Sequence, residues 1–369
     1  MYIQSIDLFN YRNYESLSME FDRETNILFG DNAQGKTNIL ESVYLCGTSR
    51  SHRTARDREM IRFGQKEAHI RANVVKDEMT CRIDIHLHQG RSKGIAINGM
   101  PVRKASDLFG LLGIIFFSPE DLNIVKNGPA ERRNFINAEL SQIDRIYLSD
   151  LTNYNKALNQ RNSLLRDLSR QTDLKGTMDV WDEQLLFYGR KIIGRRKKFI
   201  EDLIPVVMKI HRRLSGGRED LLLAYEPSVD DRRFEEELFI GRDRDMRMGT
   251  TGVGPHRDDL RLAIGGLDIR KFGSQGQQRT CALSLKLAEI QMMEISRGEK
   301  PVLLLDDVLS ELDSGRQNYL LESINDIQTI ITCTGLDEFV KNRISVHRVY
   351  EISNGQAFLR EKIENGMEE

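Results

Sequence analysis

The sequence predicts an α/β fold with a mixed sheet and an antiparallel meander, interrupted by an inserted helical lobe. Three observations carry this. Short apolar runs ending at glycine or aspartate occur near both ends of the chain and read as buried strands. A period-two segment leads into Asn98-Gly99, the strongest short hairpin signal. Between these parts lies a long stretch of helical periodicity, in which Pro129 and Pro205 are the only prolines from 129 to 214.

Taken in order, Ile3, Ile6 and Leu8 open a strand region that continues through Thr25-Asn26-Ile27-Leu28-Phe29 and stops at Gly30. Ile39, Leu40, Val43 and Tyr44 then recur at helical spacing, so Thr37 to Leu45 reads as a helix starting directly behind a glycine-rich turn. Cys81 to His88 alternates, and Gly94-Ile95-Ala96-Ile97 precedes the turn signal. After Ser118-Pro119-Glu120 the apolar positions become helical. Leu151, Tyr154, Leu158, Leu165 and Leu168 fit one long helix; Trp181, Leu185, Tyr188, Ile192, Phe199, Val206 and Ile210 fit a second. Arg170 to Gly176 is the expected bend, making a helical hairpin whose stripes are core. The last third alternates again: a turn and helix from Gly273 to Gln291, a strand at Pro301 to Asp306, and another at Thr329 to Thr332. The expected lobes are 1–118 and 246–369 for a head built from both chain ends, with 119–245 as the helical insertion.

Composition excludes several classes. With 39% hydrophobic and 30% charged residues in 369, the chain has the makings of a globular core and is not a disordered polyelectrolyte. The longest apolar run, Leu108 to Phe117, is broken by two glycines and is too short to span a bilayer. Four scattered cysteines and an N-terminus without a basic-then-apolar leader point to the cytoplasm and no disulfide framework. The formal charge of -2 offers no general attraction for a polyanion. Locally, Gly189 to Arg218 carries ten basic and two acidic residues, either a polyanion-binding patch or a solvated helix face.

Gly30-Asp31-Asn32-Ala33-Gln34-Gly35-Lys36-Thr37 matches the phosphate-binding pattern G-x-x-x-x-G-K-[ST] in its required context between strand and helix. Glycines allow backbone N–H groups to face phosphate oxygens, and the helix N-terminus adds positive potential. Lys36 reaches the β and γ phosphates, and Thr37 offers a hydroxyl to Mg²⁺. Gly30, Asn32, Gly35, Lys36, Thr37 and Asn38 are therefore the candidate nucleotide-binding residues of this segment. An apolar strand delivers Asp306 and Asp307, expected as the magnesium-side carboxylate and as the base or water-orienting group. Lys36, Asp306 and Asp307 are the candidate catalytic set, and Thr37 and Asp306 the candidate metal pair. Alone, two acids at a strand end are also an ordinary acidic turn; with the loop they define a site for ATP and Mg²⁺. Ser274-Gln275-Gly276-Gln277-Gln278 opens a helix 32 residues before Asp306, as a second anion cradle or simply a capping turn. Ser274, Gly276 and Gln277 are its candidate ligands.

These motifs, with Phe117-Ser118-Pro119-Glu120-Asp121-Leu122, Pro129-Ala130-Glu131-Arg132-Arg133-Asn134-Phe135, Gly254-Pro255-His256-Arg257-Asp258-Asp259 and Leu304 to Asp313, occur in order along nearly the whole chain. In this the chain resembles the RecF family, bacterial recombination and repair ATPases of the ABC/SMC-like class. The resemblance implies a P-loop ATPase head with a helical lobe in place of a long coiled coil, ATP-driven homodimerisation, and slow hydrolysis that releases the dimer from DNA. Each ATP would touch Lys36, Thr37, Asp306 and Asp307 of one subunit and Ser274 and Gly276 of the other, with Asp313 at the seam. It further implies action with RecR and RecO in loading RecA at gaps where single strands adjoin duplex, and no membrane role. Some positions depart from the wider class: Gly276-Gln277 replaces a double glycine, which disfavours transport, and no histidine follows Thr332. Thr332 and Thr334 stand at that switch position, and Glu120 stands where a glutamine is expected.

Two basic groups are candidates for DNA phosphates: Arg50, His52, Arg53, Arg56 and Arg58, and on the helical lobe Arg190, Lys191, Arg195, Arg196, Lys197 and Lys198. Neither spacing supplies a base-reading motif, so backbone recognition without sequence preference is expected. His86 and His88 lack companion ligands at zinc spacing and read as solvated strand positions. Rival readings are a small-molecule P-loop kinase, which needs neither the Ser274 segment nor a helical hairpin, and a head serving only a protein partner.

Overall fold

A computed structural model describes residues 1–54, 56–168, 175–335 and 346–360. Contacts divide the chain into two units, Met1–Asp121 with Glu289–Glu369, and Leu122–Ala288. The sequence places the lobe boundaries at 118/119 and 245/246. The division instead returns to the first unit at Glu289, because the strands after residue 245 pair within the second unit.

The first unit holds two six-stranded sheets. One contains β1 (Tyr2–Tyr11), β2 (Tyr14–Glu20), β4 (Glu67–Lys76), β5 (Met79–His88), β6 (Arg91–Ile97) and β7 (Met100–Pro101) in the order β2-β1-β4-β5-β6-β7, antiparallel throughout. Its β6–β7 hairpin closes through Asn98 (φ 52°) and Gly99 (φ 81°), the two left-handed residues of a tight primed turn. The other contains β3 (Thr25–Phe29), β8 (Ile114–Phe117), β12 (Val302–Asp306), β13 (Thr329–Cys333), β14 (Arg348–Ser353) and β15 (Gln356–Arg360) in the order β15-β14-β3-β13-β12-β8. Its pairs are parallel except β14–β15. Helix α1 (Lys36–Thr48) touches β8, β12 and β13 of this sheet and β4 and β5 of the meander, burying Ile39, Leu40 and Val43 completely. The helix is apolar on more than one face because it has a sheet on either side. Helix α10 (Ser314–Ser323) follows β12.

The second unit contains α2 (Asn123–Lys126), α3 (Pro129–Ile143), α4 (Arg145–Leu168), α5 (Lys175–Leu214), β9 (Leu221–Glu226), α6 (Phe234–Ile240), α7 (Arg242–Met248), β10 (Asp259–Ile264), β11 (Leu267–Asp268), α8 (Ile269–Phe272) and the start of α9 (Gln275–Arg297). Helices α4 and α5 run antiparallel: Tyr147 meets Arg196, Asp150 meets Arg195, and Arg161 meets Asp182. Residues 170–174 of the expected bend lie outside the described residues. The buried face of α5 includes Leu185, Ile192, Phe199 and Ile210 as expected, but also Ile193, Ile200, Leu203 and Val207, whereas Tyr188 and Val206 are half-buried. A stripe wider than one heptad seam is needed because α5 packs on β9, α3 and α6 as well as on α4.

Polar groups in this unit are locked together. Arg161, with no exposed surface, donates to Asp182 (2.5 Å), Asp245 (2.8 Å) and the Thr251 hydroxyl (2.9 Å). Asp258 accepts from Arg196 (2.8 Å), Tyr225 and the Ser228 N–H (2.9 Å). His256 faces the Thr251 carbonyl through Nε2 (3.0 Å), and a carbonyl can only accept, so Nε2 carries the proton. Nδ1 then accepts from Tyr154 OH (2.7 Å), a pairing that suits the neutral ring. Burial pushes the imidazole down to about 4. The side chain that the sequence left without a role is a structural pin.

No described helix is long and apolar enough to cross a membrane.

His256 binds fewer protons folded than unfolded between its free value of about 6.5 and about 4. Its contribution is therefore full above the upper value and fades as pH falls through that window, by about 2–3 kcal/mol at pH 4.5. Urea titrations from pH 7 to 4.5 should show His256→Gln losing stability more gently than the parent chain.

Candidate phosphate-binding site

In the first unit, β3 ends at the glycine loop. Gly30 (φ 148°), Ala33 (φ 65°) and Gly35 (φ 114°) bend the backbone into a cradle before α1. The two glycines are required by close approach as well as by φ. A Cβ on Gly30 would stand 2.3 Å from the Ile352 carbonyl oxygen, and one on Gly35 would stand 2.6 Å from both Asn13 Nδ2 and Tyr14 OH. The loop is held from behind: Asn13 donates to the Gln34 carbonyl (3.0 Å), and Gln34 Oε1 accepts from Asn354 N–H (2.8 Å). Asn13, Tyr14 and Asn354 carry no motif signal. They become visible only when the β1–β2 and β14–β15 turns fold against the loop.

Register explains how the distant halves meet. Parallel pairing matches Phe29 with Cys333 and Asp306 with Thr332, so the carboxyl ends of β3, β13 and β12 form one edge. There Thr37 Oγ1 donates to Asp306 Oδ1 (2.9 Å) although the residues are 269 apart in sequence. Thr332 Oγ1 donates to the same oxygen (2.8 Å) and accepts from Asp307 N–H (3.0 Å). Asp307 has φ 54°, a left-handed conformation uncommon outside glycine. Lys36 folds over the loop, donating to the carbonyls of Gly30 (2.5 Å) and Asp31 (2.8 Å). Burial lowers its pKa, opposed chiefly by the nearby Asp307 carboxylate. Burial raises Asp306, opposed by the Thr332 and Thr37 hydroxyls. An ammonium and two carboxylates face one another with an open loop above them: Asp31, Asn32 and Ala33 are exposed.

A triphosphate with a divalent cation fits these groups. The exposed glycine loop leads into a helix N-terminus, Lys36 supplies a cation, and Thr37 with Asp306 a hard oxygen pair of the kind Mg²⁺ takes alongside phosphate oxygens and water. Among the described residues no set of three or more His, Cys, Asp or Glu side chains forms a protein-only cation cage. Asn38 departs from expectation. Its side chain donates to Asn13 (2.8 Å) and accepts from Arg53 (2.9 Å), and its N–H donates to the Gly35 carbonyl (2.9 Å).

Ser274, Gly276 and Gln277 lie in the second unit, at the start of α9. Ser274 is exposed and forms a reciprocal cap with Gln277: the Ser274 N–H donates to Gln277 Oε1 (2.9 Å) and the Gln277 N–H to Ser274 Oγ (3.2 Å). The Gln277 amide also donates to Glu219 (3.0 Å). The cap is present, and it leaves the helix N-terminus open at the surface. Asp313 caps α10, accepting from the Arg316 N–H (3.1 Å). Glu120 is exposed on a single 3-10 turn behind β8.

Three basic candidates are engaged within the protein. His52 stacks on Phe116 (4.0 Å between centroids) and is pushed down to about 4 by burial, so it carries no charge to a surface. Arg196 is 1% exposed and spends its guanidinium on Tyr147, Pro255, Asp258 and Asn137; it is part of the core, because α5 turns that side toward the 254–259 segment. Arg195 is paired with Asp144 and Asp150.

A family model described as the RecF/RecN/SMC N terminal domain matches residues 2–357. The DNA replication and repair protein RecF of Agathobacter rectalis is 60% identical over 356 residues, covering 96% of this chain and 98% of that relative. The chain belongs to the RecF family. RecF of Lachnospira eligens is 56% identical with the same coverage. A solved structure of the recombination mediator RecF with ATP, from the RecFOR pathway, superposes with TM-score 0.91 at 34% identity, covering 98% of both chains. An Smc head from Pyrococcus furiosus, at 16% identity and TM-score 0.56 with 97% and 96% covered, shares the fold alone. The RecF assignment establishes a DNA replication and repair protein with the SMC-like α/β head that the motifs predict.

Replacing Arg196 by Met leaves the buried Asp258 carboxylate without its cation, and the unfolding free energy should fall by about 3 kcal/mol. Lys197→Ala, at an exposed neighbour, should change it by less than about 0.5 kcal/mol. Urea unfolding monitored by the single tryptophan, Trp181, measures both.

Proposed function

We propose that this chain is an ATP-gated, DNA-binding homodimer of recombinational repair and replication restart, acting in the cytoplasm with slow ATP hydrolysis. One observation carries the reading: Thr37, Asp306, Asp307 and Lys36 converge on a glycine loop at the ends of adjacent parallel strands. Lys36 exchanges its two loop carbonyls for phosphate oxygens when ATP binds. Thr37 and Asp306 hold Mg²⁺, which when bound neutralises charge on the β and γ phosphates. Asp307 orients the attacking water or takes its proton, and its short side chain keeps turnover low.

The open start of α9 supplies the other half. Ser274 and Gly276 of one subunit close on the nucleotide held by its twin, so ATP binding assembles the dimer and hydrolysis undoes it. ATP carried by the solved RecF structure supports the nucleotide, and its RecFOR setting supports RecO- and RecR-type partners and delivery of a RecA-type recombinase at single-strand gaps. Duplex and junction DNA would be gripped through phosphates. Exposed Arg50, Arg53, Arg56 and Arg58 in the first unit and Arg190, Lys191, Lys197 and Lys198 in the second remain the candidates once His52, Arg196 and the ion-paired Arg195 are set aside.

Lys36→Met should abolish ATP-dependent dimerisation and weaken ATP binding at least about a hundredfold while the circular dichroism spectrum is retained. Sedimentation with a non-hydrolysable analogue reads this, and dimers of the variant at saturating nucleotide would refute the site. Ser274→Arg should still bind ATP yet sediment as a monomer. A monomeric Ser274→Arg chain hydrolysing at the parental rate would refute the composite arrangement.

A further inference from the structure

We infer that Thr332 is the positioning residue of the nucleotide site, the one hydroxyl among the described residues that bonds to both acids at once. This rests on the nucleotide reading above and concerns how the site is kept in order. Strand β13 is interior, paired on both sides, and Thr332 is only 2% exposed. A buried hydroxyl is costly unless bonded, and an aliphatic β-branched residue such as Ile330 or Ile331 satisfies the strand equally well. Thr332 uses its capacity in two directions. It donates to Asp306 Oδ1 (2.8 Å) and accepts the Asp307 N–H (3.0 Å).

The two bonds act on different degrees of freedom. At Asp306, the Thr332 and Thr37 hydroxyls both engage Oδ1, which fixes the carboxylate plane and leaves Oδ2 as the oxygen not claimed by either. At Asp307, the bond anchors the amide of a residue in the left-handed region (φ 54°), where an aspartate needs external support. The cross-strand register Asp306↔Thr332 makes both possible from one side chain. Other hydroxyls share only part of the role: Thr37 engages Asp306, and Ser310 donates to the Asp307 carbonyl (2.8 Å). Thr329, at the other end of the strand, donates to the Ile327 carbonyl two residues back (3.0 Å), and Thr334 is exposed, with no side-chain hydrogen bond among the described residues.

Loss of the hydroxyl should therefore harm use of the cation and the water more than capture of the nucleotide. In full-length protein, Thr332→Val should raise the Mg²⁺ concentration needed for half-maximal ATP hydrolysis about tenfold and slow single-turnover hydrolysis at least about tenfold. ATP affinity measured in EDTA should stay within about twofold of the parent, and Thr332→Ser should recover both losses. Parental Mg²⁺ dependence and rate in Thr332→Val would overturn the inference, as would a serine chain as impaired as the valine one. If the valine chain does not fold, Thr332→Ala against Thr332→Ser gives the same contrast. Lys36→Met separates the layers: if it binds ATP like the parent, the nucleotide reading itself fails; if it loses ATP while Thr332→Val behaves as the parent, only the role of Thr332 fails.

Discussion

Parallel pairing of β3, β13 and β12 is the constraint from which the site follows. Hydrogen bonds between parallel strands fix register, and register decides which residues reach the sheet edge together. A slip of one residue would turn Asp306 and Thr332 to the opposite face and separate Thr37 from its carboxylate. The fully buried runs Ile27-Leu28, Val302 to Leu305 and Ile330-Ile331 prevent this, since every neighbouring side chain would lose its packing at the same time. The arrangement of polar groups at the edge is thus maintained by the buried apolar residues of the strands.

Much of this was legible in the sequence because the relevant signals are local. The glycine loop sits between its strand and helix, Asn98-Gly99 makes its hairpin, and the apolar strand before Asp306 lies where its composition puts it. Non-local facts were harder to read. That Asn13 and Tyr14 back the loop depends on how two turns fold against it, and an asparagine in a turn looks like any other. Thr332 stood out only by position; its two bonds require knowledge of cross-strand register.

The basic residues show the opposite error, in which a linear pattern suggested more than space allows. A run such as Arg195-Arg196-Lys197-Lys198 reads as one patch, yet a helix distributes four consecutive residues around its circumference. Arg196 points into a network with Asp258, while Lys197 and Lys198 face water. The segment Gly254 to Asp259, so particular in sequence, answers to this interior. Asp258 gathers three donors, and Asp259 holds Arg132 through paired bonds of 2.6 and 3.0 Å. Removing one member strands a charge, which is a structural reason for the motif to be exacting.

The reciprocal cap at Ser274 has an implication for how long two copies would stay joined. Its Oγ accepts the Gln277 N–H, whereas a hydroxyl that meets an anion must donate, so the cap can stay in place while the O–H adds one bond worth on the order of 1 kcal/mol. A single bond of that size is a shallow fastening. It suits a clasp whose lifetime would be set by the guest it encloses, the cap beneath it standing whether the guest is present or spent.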